Sequence, residues 1–182
     1  MNILAISGSL RIGSTNTSLL RAAAELVPPT VIITLYEGLD DIPPFSPERD
    51  RDNSSEPVNK LRTLLREADA VLICTPEYIH GMPGMLKNML DWIASSGEFV
   101  DKPVGVISAG PSDMGGSRAH ASLSYTLEVL TAQLPEGASL IVPFVRQKLD
   151  ADGHIIDPVL TQQLRDTVGA LVEAVHNRSQ TL

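Results

Sequence analysis

A chain of 182 residues with 43% apolar content is long enough for one hydrophobic core and too apolar for disorder, so residues 1–182 are expected to fold as a single domain. A formal net charge of −8 argues against nucleic-acid binding, which needs basic surface to neutralise phosphates. No apolar run reaches the roughly 18 residues of a membrane span, the opening Met-Asn-Ile-Leu lacks the basic and apolar regions of a secretory signal, and a lone cysteine, Cys74, makes no internal disulfide; a cytoplasmic protein is expected.

Residues 3–6 are a short apolar run and the first predicted strand. It breaks into the sequence SGSLRIGSTN at 7–16, after which Leu19, Leu20, Ala23 and Leu26 recur at helical spacing. A helix N-terminus offers unpaired N–H groups and a partial positive charge, so a loop placed there suits an anion. Gly8 and Gly13 let the chain turn, Ser9, Ser14, Thr15 and Asn16 supply side-chain donors, and Arg11 supplies charge. The first acid of the chain is Glu25, so this segment is locally basic in an acidic protein.

The gap from Gly8 to Gly13 matches a nucleoside-triphosphate loop, but Ser14 stands where that motif requires lysine. The predicted third strand also ends without a Mg²⁺-binding aspartate, and Gly-x-Gly-x-x-Gly does not occur. A monophosphate held by neutral donors and one arginine fits what remains.

Strands are further expected at 31–35, 70–74, 104–107 and 140–142, none alternating cleanly, as for strands covered on both faces. Helices are expected after Ser55-Glu-Pro57, over 84–94, over 117–132 and after Asp157-Pro158, with a frayed tail beyond His176. Five strand–helix alternations predict an α/β fold, a doubly wound five-stranded parallel sheet of order 2-1-3-4-5 with helices on both faces. Ligands of such sheets bind outside the carboxyl ends of strands 1 and 3. Residues 40–56 are polar, proline-rich and long for a connection, and are expected to be a covering or contact loop.

Pro76-Glu77-Tyr78-Ile79 follows the third strand, where a ring system attached to the phosphate would lie. Ser108, Gly110, Gly115 and Gly116 follow the fourth and would let a ligand approach the main chain. Cys74, in an apolar run, reads as inert core, and His80 as a solvent-facing histidine. Met82, Met85, Met89 and Trp92 form a helical stripe open to two readings, core packing or an adaptable contact surface. The four histidines are scattered without paired ligand spacing, so no metal is expected.

GSLRIGSTN at 8–16 and PEYIHGMPGMLKNMLDW at 76–92 together resemble the phosphate loop and ring loop of the NADPH-dependent FMN reductase family, and SAGPSDMGGSRA at 108–119 is a weaker third match. The resemblance implies a flavodoxin-like fold and noncovalent FMN. It implies an enzyme that oxidises NADPH or NADH and passes electrons to a small-molecule acceptor: free flavin, a quinone, an azo compound or a metal oxyanion. It also implies backbone contacts from 77–79 to the flavin ring, and a homodimer or homotetramer through the 82–92 helix. Ile79 departs from the family, where a polar residue is frequent, so a side-chain bond from that position is lost. The alternatives are a flavodoxin-type electron carrier that does not oxidise NAD(P)H, and a flavin-binding sensor.

Overall fold

The computed structural model describes residues 1–50 and 54–181. Strands β1 (Asn2–Ser7), β2 (Ile32–Tyr36), β3 (Ala70–Thr75), β4 (Val104–Ala109) and β5 (Ser139–Val142) form one sheet of order β2-β1-β3-β4-β5. Every pairing is parallel, with Ile6 opposite Tyr36 and Ile73, and Cys74 opposite Ile107. Parallel pairs need crossovers, and five helices supply cover: α1 (Thr15–Leu26), α2 (Glu56–Glu67), α3 (Gly84–Ile93), α4 (Ser117–Val129) and α5 (Pro158–Thr181). The expected sheet order is the one found. Helix α5 runs to Thr181, beyond His176, where the tail is expected to begin.

The pleat divides the apolar side chains between two cores. Ile3, Ala5, Leu72, Cys74 and Ile107 face α1 and α5, where Leu19, Leu20, Leu164 and Leu171 pack. Leu4, Ile6, Val71, Ile73 and Val106 face α2, α3 and α4. Strands β1, β3 and β4 therefore read as unbroken apolar runs. The edge strands differ from expectation: β2 and β5 alternate exposed with covered residues, because they are covered mainly on the face where Ile33, Leu35, Leu140 and Val142 meet the α1 and α5 core.

The long connection after β2 is a contact loop for α3, and none of its described residues borders the cavity at the carboxyl end of the sheet. Pro43 O accepts from Trp92 Nε1 at 2.7 Å and Asn88 Nδ2 at 3.0 Å, while Phe45 N–H donates to Asn88 Oδ1 at 2.7 Å. Asp50 is tied to Arg62 of α2 at 2.6 Å. Residues 51–53 of this connection lie outside the described residues.

Met89 and Trp92 are fully buried within the chain, which gives that half of the stripe to core packing, while Met82 and Met85 are half-buried against the same core. The exposed side of α3 carries the Lys87–Asp91 ion pair instead.

His120, in the first turns of α4, is buried, with Nε2 at 2.8 Å from Ser139 Oγ and no partner for Nδ1 among the described residues. Burial pushes its pKa below the ordinary histidine value. The folded state thus binds this proton less readily than the unfolded state. Its contribution to stability is complete above the unfolded value of about 6.5 and declines as pH falls through it towards the folded value. Urea unfolding between pH 7 and pH 5 is expected to lose less stability in His120→Gln than in the natural chain; equal slopes would remove His120 from the titration.

Candidate functional site

Four loops at the carboxyl end of the sheet enclose a cavity of about 430 Å³. The first is the connection from β1 to α1. Gly8 N–H donates to Cys74 O at 2.8 Å, continuing the sheet one residue past β1, and the chain then turns through Gly13 at φ +67°. The α1 ladder opens with Ser18 N–H donating to Ser14 O at 3.0 Å. The N–H groups of Thr15, Asn16 and Thr17 are left at the open helix end. Ser14 is the N-cap, yet its hydroxyl makes no capping bond, although the residue is only 4% exposed. Asn16 is buried too, and its Oδ1 accepts from the Cys74 thiol at 3.2 Å. That engagement leaves Nδ2 as the donating end of the amide. Burial raises the Cys74 pKa well above its ordinary value, so the thiol stays protonated and can make this bond.

The third strand supplies the second wall. Glu77 reaches to α4, where its Oε2 accepts from the N–H groups of Arg118 at 3.0 Å and Ala119 at 3.1 Å. Burial opposes the charge on Glu77, but these bonds and the contact with His80 outweigh it and hold the carboxyl below its usual range. Two helix N-termini therefore approach the cavity, and they are not equivalent. That of α4 is neutralised by Glu77; that of α1 meets no carboxylate among the described residues. An anionic ligand belongs at α1.

Tyr78 and Gly81 exchange both main-chain bonds, Tyr78 N–H to Gly81 O at 3.0 Å and Gly81 N–H to Tyr78 O at 3.1 Å. The two residues between them, Ile79 and His80, have φ of +49° and +62°. This is a tight turn with both central residues left-handed, a geometry that favours glycine and asparagine. A β-branched residue there is strained, and Ile79 is 98% exposed, so no packing repays the strain. Ile79→Asn is expected to raise unfolding stability by about 1 kcal/mol, seen calorimetrically as a Tm higher by about 2–4 °C. A lower Tm would contradict a strained turn. His80 lies beside Glu77 Oε1 at 3.4 Å and in contact with the Arg118 guanidinium.

The remaining walls come from the loops after β4 and β5. Gly115, at φ +57°, packs so closely that a Cβ would stand 2.7 Å from Ile141 Cγ2 and 2.8 Å from Pro143 N. Val145 N–H donates to Gly110 O and Phe144 N–H to Ser112 O, both at 3.1 Å, so the two loops form one unit.

Of the residues expected from sequence, Ser9, Arg11, Ser14, Thr15, Asn16, Pro76, Glu77, Tyr78, Gly110 and Gly116 border the cavity. Ile79, Ser108 and Gly115 do not: Ile79 points to solvent, Ser108 is fully buried with its Oγ unpartnered, and Gly115 faces the β5 loop. Sequence reasoning missed Val145 and Arg146, which close the cavity from a 3₁₀ turn at Val145–Gln147. Their segment has no glycine or hydroxyl signal; only its place after β5, on the edge shared by the other loops, could have pointed to it. Also unexpected is the proximity of Asp150, Asp152 and His154, whose ligand-type atoms lie within 4.8 Å of one another at the surface. Hydrogen bonds occupy this group, with Asp150 Oδ1 accepting from the N–H of Asp152 at 3.0 Å and of His154 at 2.8 Å.

Sheet order, ligand edge and an anion-adapted first loop define a flavodoxin-like protein with a cavity at the switch point of the sheet. Residues 1–147 match the family model described as NADPH-dependent FMN reductase, and the chain belongs to that family. It is 32% identical over 173 residues to an NAD(P)H-dependent FMN reductase of Pseudomonas aeruginosa, covering 94% of this chain and 93% of that one. It is 27% identical to a quinone reductase of Escherichia coli, covering 96% and 95%. Among solved structures it resembles FerB, a flavoenzyme NAD(P)H:(acceptor) oxidoreductase of Paracoccus denitrificans, with a TM-score of 0.87, 27% identity and 97% of each chain covered.

Proposed function

We propose that the cavity holds FMN noncovalently, with the phosphate at the N-terminus of α1 and the ring between the loops after β3 and β4. The donor set supports this fit. The Ser14 hydroxyl is not spent on capping, Asn16 presents an amide N–H₂, three N–H groups are open at α1, and the cavity carries Arg11. The single observation that carries the reading is the contrast between the two helix ends, one filled by Glu77 and the other left for an outside anion.

Bound FMN would supply the acceptance of two electrons from NADPH or NADH and their donation to a small molecule such as free flavin, a quinone, an azo compound or a metal oxyanion. The protein's own part is positional. Pro76–Tyr78 offer a main-chain edge, and Glu77 locks that edge to α4. Ser9, Ser14, Thr15 and Asn16 bind the phosphate, and Ser108 and Gly115 support the ring wall from behind. Ile79 contributes main chain only, since its side chain makes no polar bond.

Mixing purified protein, FMN and NADPH under air and following absorbance at 340 nm tests the reading. Sustained consumption is expected. FMN binding without consumption would mark a flavodoxin-type carrier, and no flavin binding would remove the reading. Among the described residues no helix is long and apolar enough to cross a membrane. A cytoplasmic setting fits a chain whose single cysteine, Cys74, is buried and makes no internal disulfide. A homodimer or homotetramer would use the apolar surface before α3, where Tyr78 and Ile79 are exposed and Met82 and Met85 half-exposed, rather than Trp92. Sedimentation velocity decides the assembly.

A further inference from the structure

We propose that Arg146 is a second cationic clamp on the phosphate and so sets a preference for FMN over riboflavin; this rests on reading the cavity as an FMN site. Arg146 and Arg11 both border the large cavity, and both also border a smaller one of about 250 Å³ together with Gly13, Thr15 and Ser18. Sharing those residues places Arg146 at the phosphate end of the site.

Neither guanidinium is paired with a carboxylate among the described residues. Among the described residues the Arg11 guanidinium donates only to its own loop, at Gly13 O, 3.2 Å away, and Arg146 has no polar partner. Arg62 is taken up by Asp50 and Arg66 by Glu98, and Arg49, Arg118 and Arg165 bond a main-chain carbonyl, His80 and Gln162 in turn; Arg11 and Arg146 stand out because both border one cavity end. The acids that border the small cavity are Asp150 and Asp152; Asp150 is occupied by main-chain N–H groups and His154, and neither acid is ion-paired with Arg146. Two unpaired guanidiniums at one cavity end, in a chain of 22 acids and 14 basic residues, suit a dianion. A phosphate monoester carries about −1.5 to −2 near pH 7, so Arg11 alone leaves much of it unbalanced.

Arg146 is also held in place. Val145 is 1% exposed and bonded to Gly110, and Phe144 takes a left-handed φ of +50° to bond Ser112. The turn is thus anchored to the loop that borders the ring, while the guanidinium remains free to close on an oxygen pair as a planar fork.

The test is to titrate the wild-type chain, Arg146→Ala and Arg146→Lys with FMN and with riboflavin, at low and high potassium chloride. Arg146→Ala is expected to weaken FMN binding by about tenfold or more and to leave riboflavin binding unchanged. Its salt dependence should shrink, and lysine should restore part of the affinity. The side chain is exposed and unbonded, so an unchanged circular dichroism spectrum should accompany the loss. Equal weakening of both flavins, or of neither, overturns the proposal while the wild-type FMN titration leaves the cofactor reading intact. A wild-type chain that binds neither flavin overturns both.

Discussion

Trp92→Ala is expected to lose about 4 kcal/mol of unfolding stability. The indole is 1% exposed at the end of α3, its Nε1–H donates to Pro43 O at 2.7 Å, and Phe45 meets it edge-on at 5.3 Å between centroids and 89° between planes. Truncation would open a cavity, leave Pro43 O with Asn88 Nδ2 alone as its donor and loosen the turn that holds the connection after β2 to α3. Such losses add to the transfer term because the surroundings relax only partly. The result separates the two readings of the methionine stripe. A tryptophan held for a partner subunit would, on truncation, weaken association and leave the monomer nearly as stable. Urea unfolding at two protein concentrations measures this. The expected result is a lower midpoint at both concentrations with FMN affinity kept, since the connection does not border the cavity. A stability loss under about 1 kcal/mol with dissociation would restore the interface reading.

What the sequence made legible follows from how locally each feature is determined. Strands β1, β3 and β4 are central and two-sided, so their apolar runs carry the signal alone. The first loop was legible because a helix start, two glycines and several hydroxyls are one contiguous statement. Residues 76–78 and Gly110 were reached by combining motif with topology. The rest depends on contacts distant in sequence. Glu77 acts as a cap for α4 across 41 residues, which no local pattern encodes. Arg146 looks like any surface arginine until β5 is placed beside β4. Trp92 and Met89 read equally as core or interface because what covers them is an irregular, proline-rich connection without periodicity. Ile79 breaks the local rule for a left-handed turn, one residue beyond Tyr78, which borders the cavity.

Gly115→Ala is expected to cost about 3 kcal/mol, from overpacking of about 1–3 kcal/mol and a left-handed conformation worth about 1–2 kcal/mol. Its φ is +57°, and the added Cβ would lie 2.7 Å from Ile141 Cγ2, 2.8 Å from Pro143 N and 2.9 Å from the carbonyl carbon of Val142. Two of those three atoms are main chain, so no side-chain rotation relieves the clash; the loop after β4 must move off β5. The two bonds that join the loops, Val145 N–H to Gly110 O and Phe144 N–H to Ser112 O, would be strained with it. FMN affinity should therefore fall together with stability. Gly169→Ala is the control of opposite sign: that glycine lies in α5 with nothing within 4 Å of an added Cβ, and the change should stabilise by about 0.5–1 kcal/mol. Thermal unfolding of the two variants is expected to move Tm in opposite directions, down for Gly115→Ala and up for Gly169→Ala. A Gly115→Ala chain that melts with the wild type and binds FMN as tightly would mean that the loops after β4 and β5 are not joined as a single wall, and the placement of Arg146 would lose its support.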